Sequence, residues 1–394
     1  MYRVSYFNNI TPQALSLIDK ELYEIVENDE DYEALLLRSK QITEADVSDE
    51  VLYIGRAGAG VNNIDIPAFT QKGVVVANAP GANANAVKEL VILGMLLASR
   101  DVIGGMRWLY GQENANCDIE RAVEDNKNRF VGPEIAGKTL GVVGLGAIGV
   151  LVANAMISLD VNVYGYDPFI SVKSAWGLSP KVRRAVSLEE LFTECDYVTL
   201  HLPLMEKTKH YVNAKQFKKA KKGLRLLNFA RGGLVNNEDL IEYLENGTIA
   251  RYVTDFPSRE IMGQPKVLSI PHLGACTPES EINCAKMVVQ QMKEYLESGN
   301  IINSVNFPET FIGPLKSKNR IMIHNKNIPN MIGQITQILS AEGINITNMV
   351  NNSKGEWAYT VIDVESDVHT SLTEKLKSIV GIVRVRVLTN EEHE

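Results

Sequence analysis

Cysteine is scarce in this 394-residue chain: Cys117, Cys195, Cys276 and Cys284 are the only four, and no two form a CxxC pair. That excludes a disulfide-stapled scaffold and points to a reduced compartment. Long apolar runs are also missing. The longest, Leu90–Ser99 (LVILGMLLAS), is about half of what a membrane span requires, so no membrane partner is expected. The N-terminal MYRVSYFNN carries no apolar h-region, so no secretory signal is expected and the location reads as cytoplasmic. Positive charge is in deficit, with 40 Lys and Arg against 48 Asp and Glu, a net −8 that argues against a nucleic-acid partner. Disorder is excluded by an apolar fraction of 45%. No metal site is expected. What is present suffices for two or three domains. One tension remains: an anionic substrate must find local cations on a net-negative protein.

The middle of the chain alternates short β-branched runs with helical stretches. Strands are expected at Thr139–Val143, Val161–Tyr166, Tyr197–Leu200, Leu224–Phe229 and Ala250–Thr254. Helices are expected at Ala147–Ser158, after the capping box Ser187–Glu190, near Asn213–Lys222 up to Gly223, and from Asn236 or Asn237 to Gly247. This alternation predicts a parallel sheet covered on both faces. The first hundred residues repeat it less regularly, with strand candidates at Tyr2–Tyr6, Ala34–Leu37, Val51–Ile54 and Val74–Ala77. Pro278–Gly299 is expected to be helical and to return to that first unit. Pro308–Lys318 has linker composition, and beyond it a βαββαβ order predicts a ferredoxin-like module.

Gly144-Leu-Gly-Ala-Ile-Gly149 follows a predicted strand and opens a predicted helix. Gly144 permits the tight turn, Gly146 lets backbone approach a pyrophosphate, and Gly149 lets helix and strand pack, with the Ala147 and Ile148 amides facing the anion. Asp167 ends the next strand, where its carboxylate can accept ribose hydroxyls and repel a 2′-phosphate; the cofactor therefore reads as NAD. A tight turn without ligand, with Asp167 a mere strand terminator, is the competing reading.

Three polar residues follow strands in the second half of this domain: Arg231 in Asn228-Phe-Ala-Arg-Gly-Gly233, Glu260 after Asp255-Phe-Pro-Ser-Arg259, and His272 in Pro271-His-Leu-Gly-Ala275. Carboxyl ends of parallel strands face the ligand crevice. There an Arg can clamp a 2-keto or 2-hydroxy carboxylate, a His can exchange the hydroxyl proton, and a carboxylate can orient the His. Singly, each reads as an ordinary loop residue; the case rests on the three together.

With these motifs in place the chain resembles the D-2-hydroxyacid dehydrogenases over essentially its whole length, and within them the branch that oxidises phosphoglycerate. The resemblance implies a Rossmann-type doubly wound NAD domain at 98–276 and a discontinuous flavodoxin-like substrate domain at 1–97 and 277–305. It further implies a linker at 306–318 and a ferredoxin-like ACT domain at 319–394. It implies NAD-dependent oxidation of (2R)-3-phosphoglycerate to 3-phosphohydroxypyruvate, the first step toward L-serine, with Arg231, Glu260 and His272 as the catalytic set. His201, Leu202, Pro203 and Thr208 of the segment His201–Thr208 would line the cofactor, together with Phe229, Ala230, Arg231, Asp255, His272, Gly274 and Ala275. Arg38, Ser39, Arg56, Ala57, Gly58 and Asn78 would meet substrate alongside Arg231 and His272, with Lys88 a weaker candidate. Those arginines would answer the charge problem locally. Two departures are visible: a short segment between Glu260 and His272, and Asp255-Phe-Pro where Asp-Val-Phe is common.

In ACT relatives that sense serine, a His and two Asn contact the effector. Here Asn325 stands at the His position, Asn327 and Asn345 at the Asn positions, and Asn330 where Gly usually follows Pro329. An amino-acid effector such as L-serine and a bare pairing module are both open, as are a homodimer and a tetramer. The alternatives in function are a dehydrogenase of another D-2-hydroxy acid (hydroxypyruvate, glyoxylate or 2-oxoglutarate) and an NADH-sensing binding protein.

Overall fold

The computed structural model describes residues 1–7, 10–26, 31–113 and 118–390; Cys117 lies outside them. The chain divides into two compact units, Met1–Ala82 with Glu281–Glu394, and Asn83–Ser280.

The second unit is built on seven strands: β6 (Thr139–Val143), β7 (Asn162–Tyr166), β8 (Arg183–Arg184), β9 (Tyr197–Leu200), β10 (Leu224–Asn228), β11 (Ile249–Thr254) and β12 (Val267–Ser269). All pair in parallel in the order β12-β11-β10-β9-β6-β7-β8, so the chain reverses its direction of travel beside β6. This is the Rossmann-type doubly wound sheet. Strands buried on both faces carry near-continuous apolar runs, as β6 (TLGVV) and β9 (YVTL) do. The expected helix over Ala147–Ser158 forms with those bounds, and Ser187 caps the next by accepting from the Glu190 amide. The Lys-rich stretch after Asn213 is helical only over Ala214–Phe217. Phe217 is buried against Phe192 and Tyr243, and the solvated lysines beyond it have no apolar face to hold a longer helix down. The helix Ala84–Ser99 belongs to this unit: Val87, Val91 and Met95 pack on Leu140, Val142, Leu227 and Phe229.

In the first unit β1 (Tyr2–Phe7), β2 (Tyr23–Val26), β3 (Ala34–Leu37), β4 (Tyr53–Arg56) and β5 (Val75–Asn78) form a parallel sheet ordered β2-β1-β3-β4-β5. Strand β2 carries no β-branched alternation beyond YEIV and was not anticipated from the sequence. The helix Pro278–Ser298 supplies Ala285, Val288, Met292 and Tyr295 to one face of this sheet.

Four further strands, β13 (Asn319–Lys326), β14 (Ile346–Lys354), β15 (Trp357–Val364) and β16 (Ile382–Thr389), pair antiparallel as β14-β15-β13-β16. Period-2 alternation splits their side chains. Ile321, Ile323 and Ile362 meet the helices Met331–Ala341 and Thr370–Lys377, while Met322, Tyr359 and Val361 join Tyr295 and Phe307 in the core of the first unit. Arginines on that second face satisfy carbonyls of the last helical turn before it: Arg320 donates to Ser298 O (2.6 Å) and Arg386 to Tyr295 O (3.0 Å). Residues 308–318 carry no regular element among themselves, yet they are pinned: Thr310 bridges Ile301, and Arg320 also reaches Gly313 O.

Candidate active site

The carboxyl ends of seven parallel strands lie along one edge of the second unit, and every polar residue singled out there sits just past such an end. Gly144 follows β6 with φ +90°; a Cβ there would meet His201 O at 2.6 Å, so only glycine fits the turn. A Cβ on Gly149 would collide with Gly144 O. At Gly146 a Cβ meets nothing within 4 Å; the residue is exposed and caps Ala147–Ser158, whose first amides have no partner within the helix. That open space over a helix N-terminus suits a pyrophosphate.

Asp167 follows β7. Its Oδ2 accepts from Leu145 N (2.9 Å) and its Oδ1 from Phe169 N (2.8 Å), which fixes the carboxylate beside the glycine turn with lone pairs to spare for ribose hydroxyls. Past β9, His201 Nε2 lies 3.1 Å from Thr199 Oγ1 and its Nδ1 is buried without a partner; burial pushes its pKa down to about 3, so the ring is neutral. Leu202 and Pro203 continue this wall, and Thr208 closes it by donating to Pro203 O (2.6 Å). Past β11, Asp255 is fully buried. Its Oδ2 accepts from Gly274 N (3.0 Å), while Oδ1 has no partner, and burial raises its carboxyl above the usual range. A buried acceptor left open beside Gly274 and Ala275 fits a carboxamide donor, so the residues present suit a nicotinamide dinucleotide.

Arg231 follows β10 and is exposed, as is His272, whose ring stacks on Phe256 (centroids 4.6 Å, 47°). Gly232, Gly233, Tyr252, Asp255, Phe256 and His272 share the walls of one 420 Å³ cavity. Phe229 and Ala230 form the turn leading to Arg231. Asn228, fully buried, organises this turn: Oδ1 accepts from Ala230 N (3.2 Å) and Arg231 N (3.4 Å), and Nδ2 donates to Arg231 O (2.9 Å) and to the Tyr252 hydroxyl (3.1 Å). Glu260 is placed otherwise than a carboxylate orienting His272 would be. It accepts from Ser258 Oγ (2.6 Å) and Asn237 Nδ2 (3.0 Å), and these two bonds hold its carboxyl below the usual range. Asn228, Tyr252, Asn237 and Ser258 were not foreseen as site residues. Only Asn228 carries a sequence signal, a polar group at the end of an apolar strand (LRLLN).

In the first unit Arg38 follows β3 and Arg56 is the last residue of β4. Arg56 Nε donates to Arg38 O (3.0 Å), and Arg38 pairs with Glu281 (2.5 Å). Gly58 lies against the Arg56 guanidinium, where a Cβ would clash, and Ala57 donates to Leu37 O (2.7 Å). Ser39 is exposed, and Asn78 donates to Ala59 O (2.6 Å). Lys88, by contrast, belongs to the second unit, on the helix Ala84–Ser99. Flanking the four-stranded sheet, Asn327 and Asn345 are exposed, Asn327 donating from Nδ2 to Gly355 O (3.2 Å); Asn325 is buried, its Nδ2 donating to Lys326 O (2.8 Å) and its Oδ1 facing Thr360 Oγ1 at 3.4 Å. Asn330 takes the left-handed φ of +64° that its position before the helix demands. Among the described residues no cluster of His, Cys, Asp or Glu could hold a metal, and no helix is long and apolar enough to cross a membrane.

Residues 93–274 match the D-isomer specific 2-hydroxyacid dehydrogenase, NAD binding domain family. A D-3-phosphoglycerate dehydrogenase of Haemophilus influenzae is 31% identical over 396 residues, covering 97% of this chain and 92% of that protein. One of Methanocaldococcus jannaschii is 35% identical over 305 residues, 74% of this chain and 56% of its own length. The chain spans about half the length of several such curated relatives. Among solved structures, an NAD+-bound 3-phosphoglycerate dehydrogenase of Entamoeba histolytica superposes with a TM-score of 0.59 at 26% identity, over 77% of this chain and 98% of that one. A D-2-hydroxyisocaproate dehydrogenase, at 21% identity and a TM-score of 0.65, shares the fold. Kinship rests on the relative matched nearly end to end: the chain belongs to the D-isomer specific 2-hydroxyacid dehydrogenases.

Proposed function

We propose that the chain is an NAD-dependent D-3-phosphoglycerate dehydrogenase, oxidising (2R)-3-phosphoglycerate to 3-phosphohydroxypyruvate. The observation that carries this reading is the gathering of Asp255, His272 and the Arg231 turn past three adjacent strand ends of a sheet bearing an NAD-type glycine turn. When bound, NAD supplies the hydride acceptor. Arg231 holds the substrate carboxylate as a bidentate partner, and His272 takes the proton of the C2 hydroxyl. Glu260, the third member of the set, orients His272 only by leaving its seat on Ser258 and Asn237. Arg38 and Arg56 supply positive charge for a substrate that carries both carboxylate and phosphate. The relatives' shared name supports the phosphorylated substrate over an unphosphorylated one.

The same reading makes the first five-stranded sheet a flavodoxin-like substrate domain and the four-stranded sheet an ACT domain, with a linker over 306–318. Asn327 and Asn345, both exposed, are offered to an amino-acid effector, and Asn325 takes part only by giving up its present bonds. A homodimer through the second unit goes with exposed Leu93, Leu96, Val102, Met106 and Leu109 on its first two helices. A cytoplasmic location goes with the scarcity of cysteine, four in 394 residues with no CxxC pair.

The test is NADH oxidation with 3-phosphohydroxypyruvate against hydroxypyruvate, glyoxylate and 2-oxoglutarate, repeated with L-serine titrated in. A kcat/KM at least tenfold higher for the phosphorylated keto acid is expected. Equal or better turnover of an unphosphorylated acid would sink the substrate assignment, and no response to L-serine in rate or melting temperature would sink the effector.

A further inference from the structure

We infer that Asn228 and Tyr252 are positioning residues for the Arg231 turn, the Tyr252 hydroxyl fixing the amide that fixes the backbone. The inference rests on the dehydrogenase reading above and extends it. Arg231 itself is exposed, and among the described residues its side chain makes one hydrogen bond, from Nη1 to the neighbouring Ala230 O (2.6 Å). Its direction therefore depends on the backbone that carries it. That backbone is held from below at three points by one side chain, since Asn228 takes the Ala230 and Arg231 amides and gives a proton to Arg231 O.

An amide with one face committed this way still has a second Nδ2 proton, and in a fully buried site that proton must find an acceptor. The Tyr252 hydroxyl, also buried and reached from the adjacent strand β11, is that acceptor at 3.1 Å. A flipped amide would set Asn228 Oδ1 against Arg231 O and Nδ2 against the Ala230 and Arg231 amides, so the turn selects the orientation and the Tyr252 hydroxyl anchors it by taking the remaining Nδ2 hydrogen. Burial holds the Tyr252 phenol protonated. The network also spans two site loops. Thr254 Oγ1 donates to Asn228 O (2.8 Å) and accepts from Phe256 N (3.1 Å), so the turn bearing Arg231 and the loop packed on His272 share one buried polar seam. No atom of Asn228 or Tyr252 need touch substrate for this.

The test compares wild type, Tyr252→Phe, Asn228→Ala and the double variant as intact proteins. Tyr252→Phe keeps the ring and removes only the acceptor, so it is expected to fold. KM for the keto acid should rise about tenfold with kcat changed less than threefold, the cost of leaving one buried donor unpaired. NADH affinity by fluorescence should stay within twofold. A merely structural role would lower the fraction of NADH-binding protein and kcat together and leave KM alone. Because the two side chains act as a unit, the double variant should be no worse than Asn228→Ala. Unchanged KM in Tyr252→Phe, or additive losses in the double variant, would overturn the inference. Wild type inert toward every 2-keto acid would instead overturn the dehydrogenase reading, which keeps the two failures apart.

Discussion

Asp255 shows how one side chain can be bad for the fold and good for the site. Its carboxylate is fully buried with one oxygen unpaired, and burial raises its pKa in the folded state. A carboxyl raised on folding binds its proton more tightly when native than when unfolded. Stability is therefore lost as pH climbs from the unfolded pKa through the folded one. Asp255→Asn keeps the shape and the bond from Gly274 N while removing the charge. It should raise the melting temperature at pH 7 by roughly 2 °C, with no gain at pH 3, and weaken NADH binding. A lower melting temperature at pH 7 would refute the account. Glu260 runs the other way. Ser258 and Asn237 depress its pKa, so its contribution is present at neutral pH and fades as acid titrates it. At this scale the sequence pointed to Arg231, Glu260 and His272 because each is a polar residue lying past an apolar run, and to Asp255 only through the family resemblance. It could not point to Ser258 as the partner of Glu260, since that contact depends on the path of a loop with no periodicity to read.

Among the elements, the strand β13 carries the sharpest test. Arg320 is almost wholly buried in it and meets Asp363 of β15 at 2.6 Å, while its remaining donors take the carbonyls of Ser298 and Gly313. Arg320→Ala would leave the Asp363 carboxylate buried and unpaired, a loss of about 3–5 kcal/mol readable in urea unfolding. Arg320→Ala together with Asp363→Ala should recover part of that loss; no recovery would show the pair to be uncoupled. The sequence located most elements well because their pattern is strong: Thr139–Val143, Ala147–Ser158 and Tyr197–Leu200 have the bounds their patterns announce. The exceptions are instructive. Strand β4 runs over Tyr53–Arg56, two residues beyond its expected start, because Val51 precedes the parallel ladder and Arg56 completes it against Asn78. Apolarity marked the buried run, and pairing set the ends.

For the whole molecule, the parallel sheet of the second unit was foreseeable from strand–helix alternation, though not its strand order, and the four-stranded sheet from its βαββαβ order. Where that sheet docks was not. Met322, Tyr359 and Val361 look like the inner face of a self-contained module, yet they are buried with Tyr295 and Phe307 in the core of the first unit. Truncation after Lys318 should therefore expose that core, and the shortened chain should aggregate or melt at least 5 °C lower. A soluble, monodisperse truncation with an unchanged melting temperature would show the module to be separable. His324 sharpens the point, since it is fully buried on this face, 3.3 Å from the Tyr295 hydroxyl, and held neutral by burial. A sheet gripped on both faces has no slack. Its inner face and the helix Pro278–Ser298 share one apolar core, so the two are expected to melt in one transition rather than two.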